Sequence, residues 1–127
     1  MTMINETKFP QGYTIGDFYR ETYINGNPET RQVFFNNPHL TFELKTGPSQ
    51  ALINHSPDGF SWGYSGSGPA QLSLAILLEV IDEKIALSHY QEFKQLFISK
   101  QPMNEPLSIL LQDVINFMLL KTSGGKL

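Results

Sequence analysis

Gly59-Phe60-Ser61-Trp62-Gly63-Tyr64-Ser65-Gly66-Ser67-Gly68-Pro69-Ala70-Gln71-Leu72 is the stretch that decides the fold. An aromatic segment runs into a glycine-rich loop, and the loop opens the most apolar segment of the chain. Phe60, Trp62 and Tyr64 alternate with Ser61 and Gly63, which predicts a short strand with the three rings on one face. Pro69 suits the first position of a helix, where no amide hydrogen bond is lost, with Ser67 or Gly68 as its cap. From Ala70 to Ile81 nearly every position is apolar. A helix that is apolar all round is buried on several sides, so this one is expected at the centre of the molecule.

Outward toward the N-terminus, β signals dominate. Tyr13 to Ile24 alternates weakly and ends in β-branched and aromatic residues, which predicts a strand. Asn25-Gly26-Asn27-Pro28 reads as a turn, and Thr30 to Phe35 as the returning strand of a hairpin. Asn36-Asn37-Pro38 is a second turn. His39 to Leu44 places Leu40, Phe42 and Leu44 on one side, as in a half-buried strand. Gln50 to His55 fits a short strand or a helical turn, and Ser56-Pro57-Asp58-Gly59 a tight turn.

Toward the C-terminus the signals are helical. Asp82-Glu83-Lys84 is a polar joint. The next helix runs to about Lys100, with Ala86, Tyr90, Phe93 and Phe97 along one stripe. Ser108 is placed to cap a last helix from Ile109 to about Leu120. Strands first and helices second predict an α+β fold: a mainly antiparallel sheet from the N-terminal half, packed against two to three helices around a buried central one. The expected organisation is an arm over residues 1–12, one domain over 13–121 and a tail over 122–127.

Composition bounds the function. The 127 residues are 40% hydrophobic, enough for a core without staples. Twelve acidic and nine basic residues give a formal charge of -3, which argues against broad nucleic-acid binding. No cysteine is present, so disulfides, thiol catalysis and cysteine-based zinc sites are excluded. The polar N-terminus lacks a signal-peptide core, and no apolar run approaches the ~20 residues of a membrane span. A cytoplasmic protein away from membranes is the expectation.

The central stretch resembles a family of uncharacterised domains, DUF6166. The matching residues are Ser56, Pro57, Gly59, Phe60, Trp62, Gly63, Tyr64, Gly66 to Leu72, Leu74 and Ala75, followed by Ala86, Tyr90, Phe93 and Lys94 on the next helix. Ser65 stands where the family pattern has glycine, and Ser73 where it has alanine. The resemblance implies a compact domain of bacteria and their mobile elements, and with that distribution a phage- or defence-related role. It implies no activity.

The loop is the best candidate site. Gly63, Gly66 and Gly68 before a helix N-terminus turn free amides outward, and such a nest binds phosphate or carboxylate. The plain alternative is a tight strand-to-helix junction, which the residues favour. No Lys-Ser or Lys-Thr follows, so the loop is not a P-loop, and its spacing is not that of a dinucleotide fingerprint. Gly63-Tyr64-Ser65-Gly66 resembles a nucleophile elbow, but Ser67 replaces the closing glycine and no parallel core supports it. Gln71 is the polar exception on the apolar helix, able to touch a ligand or to hold loop carbonyls. His55 and Asp58 lack a third metal ligand, and the more ordinary role for Asp58 is an Asx-type bond within its turn. The aromatics have no interleaved basic residues for stacking on nucleic acid. Lys94 is read as paired with a carboxylate or reaching solvent.

No motif calls for a cofactor. The reading is a non-enzymatic binding or interaction module, with Trp62, Tyr64, Gly66, Ser67, Gly68 and Gln71 as its contact residues. Its partner would be a protein, a second copy or a small anion. The competing reading is an enzyme or sensor for a phosphorylated ligand or nucleotide at the same loop.

Overall fold

The structure is a computed structural model that describes residues 4–122. The first three residues of the expected arm and residues 123–127 of the expected tail lie outside the described residues. The fold is α+β, with a four-stranded antiparallel sheet in the order β3-β2-β1-β4. Three strands come from the first half: β1 (Tyr23–Gly26), β2 (Val33–Asn36) and β3 (Phe42–Glu43). The fourth, β4 (Leu107–Leu110), arrives from near the C-terminus and pairs with β1.

Register explains the burial. Ile24 stands opposite Phe35 on one side and Ile109 on the other, and all three are buried. Tyr23 and Ser108 face outward. One face of the sheet is therefore covered and the other is wet, as antiparallel sheets allow. Gly26 lies on the covered face, where a Cβ would stand 2.7 Å from the Trp62 ring and 2.9 Å from Leu107. Only glycine admits the indole at that point.

Helix α3 (Ser67–Val80) is the central element, with Gly68 to Leu77 all buried. Helix α4 (Glu83–Phe93) packs against it and continues as one π-helical turn, Lys94–Ile98. Asp82 caps α4 by accepting from the Ile85 amide. Helix α5 (Leu111–Thr122) follows β4 directly and packs beside α1 (Ile15–Glu21). The short α2 (Gly47–Leu52) leans on α3. Ile4 and Phe9 pack on the core, Phe9 stacking on Phe18 at 5.2 Å.

Several sequence expectations are corrected. Tyr13 to Ile24 is not a strand: it forms α1 and only then enters β1. A capping box decides this, because the Thr14 hydroxyl accepts from the Asp17 amide while the Asp17 carboxylate accepts from the Thr14 amide. Asn25 and Gly26 belong to β1, and the turn lies further on, closed by Arg31 N–H to the Asn27 carbonyl with Arg31 at φ 64°. Phe60 to Tyr64 joins no strand. It crosses the covered face of the sheet as an extended segment, and its rings do not share a face: Phe60 and Trp62 are buried while Tyr64 is 41% exposed. Gly63, at φ 88°, turns the chain between them.

The cap of α3 is Gly66, one residue before the expected pair, and Pro69 takes the third helical position. No amide is lost there either, since the first turn has no intrahelical acceptors. The helix expected to run to Lys100 leaves α geometry at Lys94 and closes at Ile98. Leu107 to Leu110 is a strand, so Ser108 does not cap α5; that helix begins at Leu111, whose amide donates to the Thr22 carbonyl. Asp58 makes no Asx bond among the described residues, and its turn is closed by Gly59 N–H to the Ser56 carbonyl.

Candidate functional site

The loop is built by the collision of two constraints at Gly63. A left-handed backbone is needed to send Tyr64 outward, and a Cβ on Gly63 would lie 2.4 Å from the Cα of Met103. Its amide donates to the Ile98 carbonyl, which ties the loop to the π-helical turn. Tyr64 then folds back over the loop: its ring stands 2.6 Å from where a Cβ of Gly66 would be, and its hydroxyl 3.0 Å from that of Gly68. Larger residues at either place would lift the phenol away.

Trp62, at the base, has no exposed surface. Its Nε1 donates to the Glu105 carbonyl at 3.0 Å, and the Arg31 guanidinium lies 4.4 Å from its ring centre. It anchors the loop and is closed to a partner. Gln71 is also fully buried, with its amide saturated. Oε1 accepts from the His55 and Ser56 amides, and Nε2 donates to the Ser49 hydroxyl and the Ile53 carbonyl. It clamps the 49–56 segment onto α3. His55 Nε2 lies 2.7 Å from the Tyr90 hydroxyl, whereas His39 packs against Tyr13. Among the described residues no three of His, Asp and Glu gather as metal ligands.

What stays open is the N-terminal turn of α3. The Gly66 cap offers no side chain, and the first turn carries no acidic residue. The Ser65, Gly66, Ser67 and Gly68 amides donate to no acceptor among the described residues. Such amides carry the positive end of the helix dipole. The Ser65 hydroxyl accepts from Gln95 Nε2 at 3.0 Å.

Next in sequence to Gln95 is Lys94, whose stem is packed away while its ammonium reaches solvent, one of the two settings expected for it. Lys94 is 9% exposed and has no ion pair or side-chain hydrogen bond among the described residues. Tyr90, Lys94 and Ile98 follow one another along a buried seam. Tyr90 meets His55, Gln95 meets Ser65, and the Ile98 carbonyl meets Gly63. Lys94 is bracketed by these contacts along the loop. The legible signal was its four-residue spacing from Tyr90, on the inner face of the helix. Backbone hydrogen bonding from Thr14, then Arg20, holds Asp17 low; the Lys45 ammonium holds Glu43 low.

Residues 29–119 match the family of unknown function (DUF6166). The chain belongs to this family. The matched region takes in β2, β3, the loop, α3, α4 and β4, and so the candidate site, but leaves out α1 and β1. No curated protein and no solved structure matches the chain. Family membership brings no activity with it.

Proposed function

We propose that the protein is a small cytoplasmic binding module without catalytic chemistry of its own, which takes an anionic group at the Gly63–Gln71 loop. The group is a phosphate or a carboxylate. The single observation that carries this reading is the N-terminus of α3: the Ser65, Gly66, Ser67 and Gly68 amides meet no acceptor among the described residues, and its first turn holds no acidic residue. Amides at a helix N-terminus and the helix dipole stabilise an anion placed there. Lys94, on the neighbouring helix, packs its stem while its ammonium keeps to solvent and pairs with no carboxylate among the described residues, so it is available to the same anion. The outward-facing Tyr64 ring adds an aromatic surface beside that position.

Trp62, Gly68 and Gln71 serve as the frame of this site, and Tyr64, Gly66 and Ser67 as its surface. The test is a thermal-shift series with inorganic phosphate, acetate and nucleoside monophosphates. Binding to the folded state raises the midpoint with ligand concentration. A concentration-dependent rise in the native chain that is lost in Lys94→Met supports the reading. No rise with any of these anions contradicts it.

A further inference from the structure

A second cavity, of about 400 Å³, opens on the opposite end of α3, between α1 and α5. Its volume falls in the range of small-molecule pockets, which bury an apolar body and orient it through a few polar groups. Val80 and Ile81 at the end of α3 and Ile115 and Leu119 on α5 form aliphatic walls. Gly16 on α1 leaves the wall open on its side: a Cβ there would meet the flexible end of Arg20 at 3.3 Å and the Thr14 hydroxyl at 3.6 Å.

The polar groups of this cavity come from α1 and α5, but on α5 Gln112 donates to Asn116 Oδ1 and Thr122 to the Met118 carbonyl, which leaves α1 to meet a ligand. Tyr19 lines it, and its hydroxyl has no hydrogen-bond partner among the described residues. Arg20 lines it too, with one Nη nitrogen held by Asp17 at 2.6 Å and the rest of its five-donor fork uncommitted. A guanidinium beside a free phenolic donor is a receptor for oxygen anions. Leu119 is 53% exposed, so the apolar wall reaches solvent uncovered.

We infer that this groove binds an amphipathic carboxylate: a hydrocarbon chain or ring that fills the aliphatic part, with its head group on Arg20 and Tyr19. The site is separate from the glycine-rich loop and stands independently of the function proposed for it. A neutral chain of the same length loses the contact with Arg20. A cationic one meets repulsion there.

The test is isothermal titration of the full chain with decanoate, acetate, decanol and decyltrimethylammonium. Saturable binding of decanoate, tighter than that of acetate, is expected, with decanol weaker and the cation weakest. Arg20→Gln should weaken decanoate about tenfold, as for loss of one charge-assisted contact. Gly16→Leu fills the cavity while favouring the helix, and should abolish binding without loss of helical signal. Ile115→Trp is the second filling variant. Lys94→Met, which removes any carboxylate contact at the loop, should retain the Arg20-dependent binding of decanoate. The inference is overturned if decanoate does not bind, if the cation binds as well as the anion, or if both filled variants still bind. Loss of binding in Lys94→Met would move the ligand to the loop and overturn it too. So would a dimer through Leu119 that excludes decanoate, which would make a second copy the occupant.

Discussion

The side-chain oxygen of Gln71 accepts the His55 and Ser56 amides at 2.8 and 3.0 Å, from a position with no solvent exposure. One amide group on the central helix thereby holds the segment that leads into the aromatic stretch. With its nitrogen bonded to Ser49 and Ile53, every donor and acceptor of the group is used. Substitution removes four hydrogen bonds at once, to the buried Ser49 and to Ile53, His55 and Ser56 nearer the surface. Each orphan costs about 1–3 kcal/mol, less where water enters. Gln71→Leu is therefore expected to lose about 3 kcal/mol or more in urea unfolding, out of proportion to its near-equal volume.

Gly63 carries two demands that no other residue meets. Alanine there faces both a left-handed backbone and the Met103 backbone at 2.4 Å. Gly63→Ala should destabilise by about 2–4 kcal/mol, combining backbone strain with overpacking. Gly47→Ala is the control: nothing lies within 4 Å of its added carbon, and its effect should be small.

Arg31 sets two modest effects against each other. Its φ of 64° costs about 1–2 kcal/mol relative to glycine. Its guanidinium over Trp62 returns about 0.5–2 kcal/mol. Arg31→Gly should therefore lie within about 1 kcal/mol of the native chain. Arg31→Ala keeps the strain and loses the contact, and should be the less stable of the two by chemical denaturation.

The capping box of α1 gives a pH dependence with a definite sign. The folded carboxyl of Asp17 lies below its ordinary value, first through the Thr14 amide and then through Arg20. Its stabilising effect is complete above the unfolded carboxylate range and disappears as pH falls through the folded value. The stability gap between the native chain and Asp17→Ala should be constant near neutrality and close in acid. A gap that persists unchanged at low pH would show that the ionised cap is not its source.

How far the sequence could be read follows from these same residues. The central helix was plain, because ten consecutive buried positions leave no amphipathic ambiguity. The hairpin was plain as an event but not in register, since Gly26 looked like a turn glycine and is a strand residue flattened to admit Trp62. α1 was missed because aromatic and β-branched neighbours outweighed a cap made with aspartate in place of glutamate. β4 was missed because four residues of alternation beside a long helical pattern look like the helix's own start. Its partner, β1, is eighty residues away, and no local signal announces that pairing. At the site, the glycines and Tyr64 were legible as a loop. The burial of the Lys94 stem was not, because a lysine after an apolar stripe reads as fully solvated until the packing of α4 on the loop is known.

Lys94 also separates stability from use. Its stem is packed while its ammonium keeps to solvent, so the free protein bears little cost for the charge. Lys94→Met matches its length without its charge, and should change the stability of the unliganded chain by less than about 1 kcal/mol in urea unfolding while removing the anion-dependent rise.

The most direct measurement is a phosphate titration followed at the backbone amides of Ser65, Gly66, Ser67 and Gly68 by ¹⁵N NMR, in the native chain and in Lys94→Met. The account predicts saturable shifts of these four amides in the native chain, absent in the variant, with Gly16 and Leu119 unmoved in both. Amides that stay still, or that move equally with and without the lysine, would contradict it.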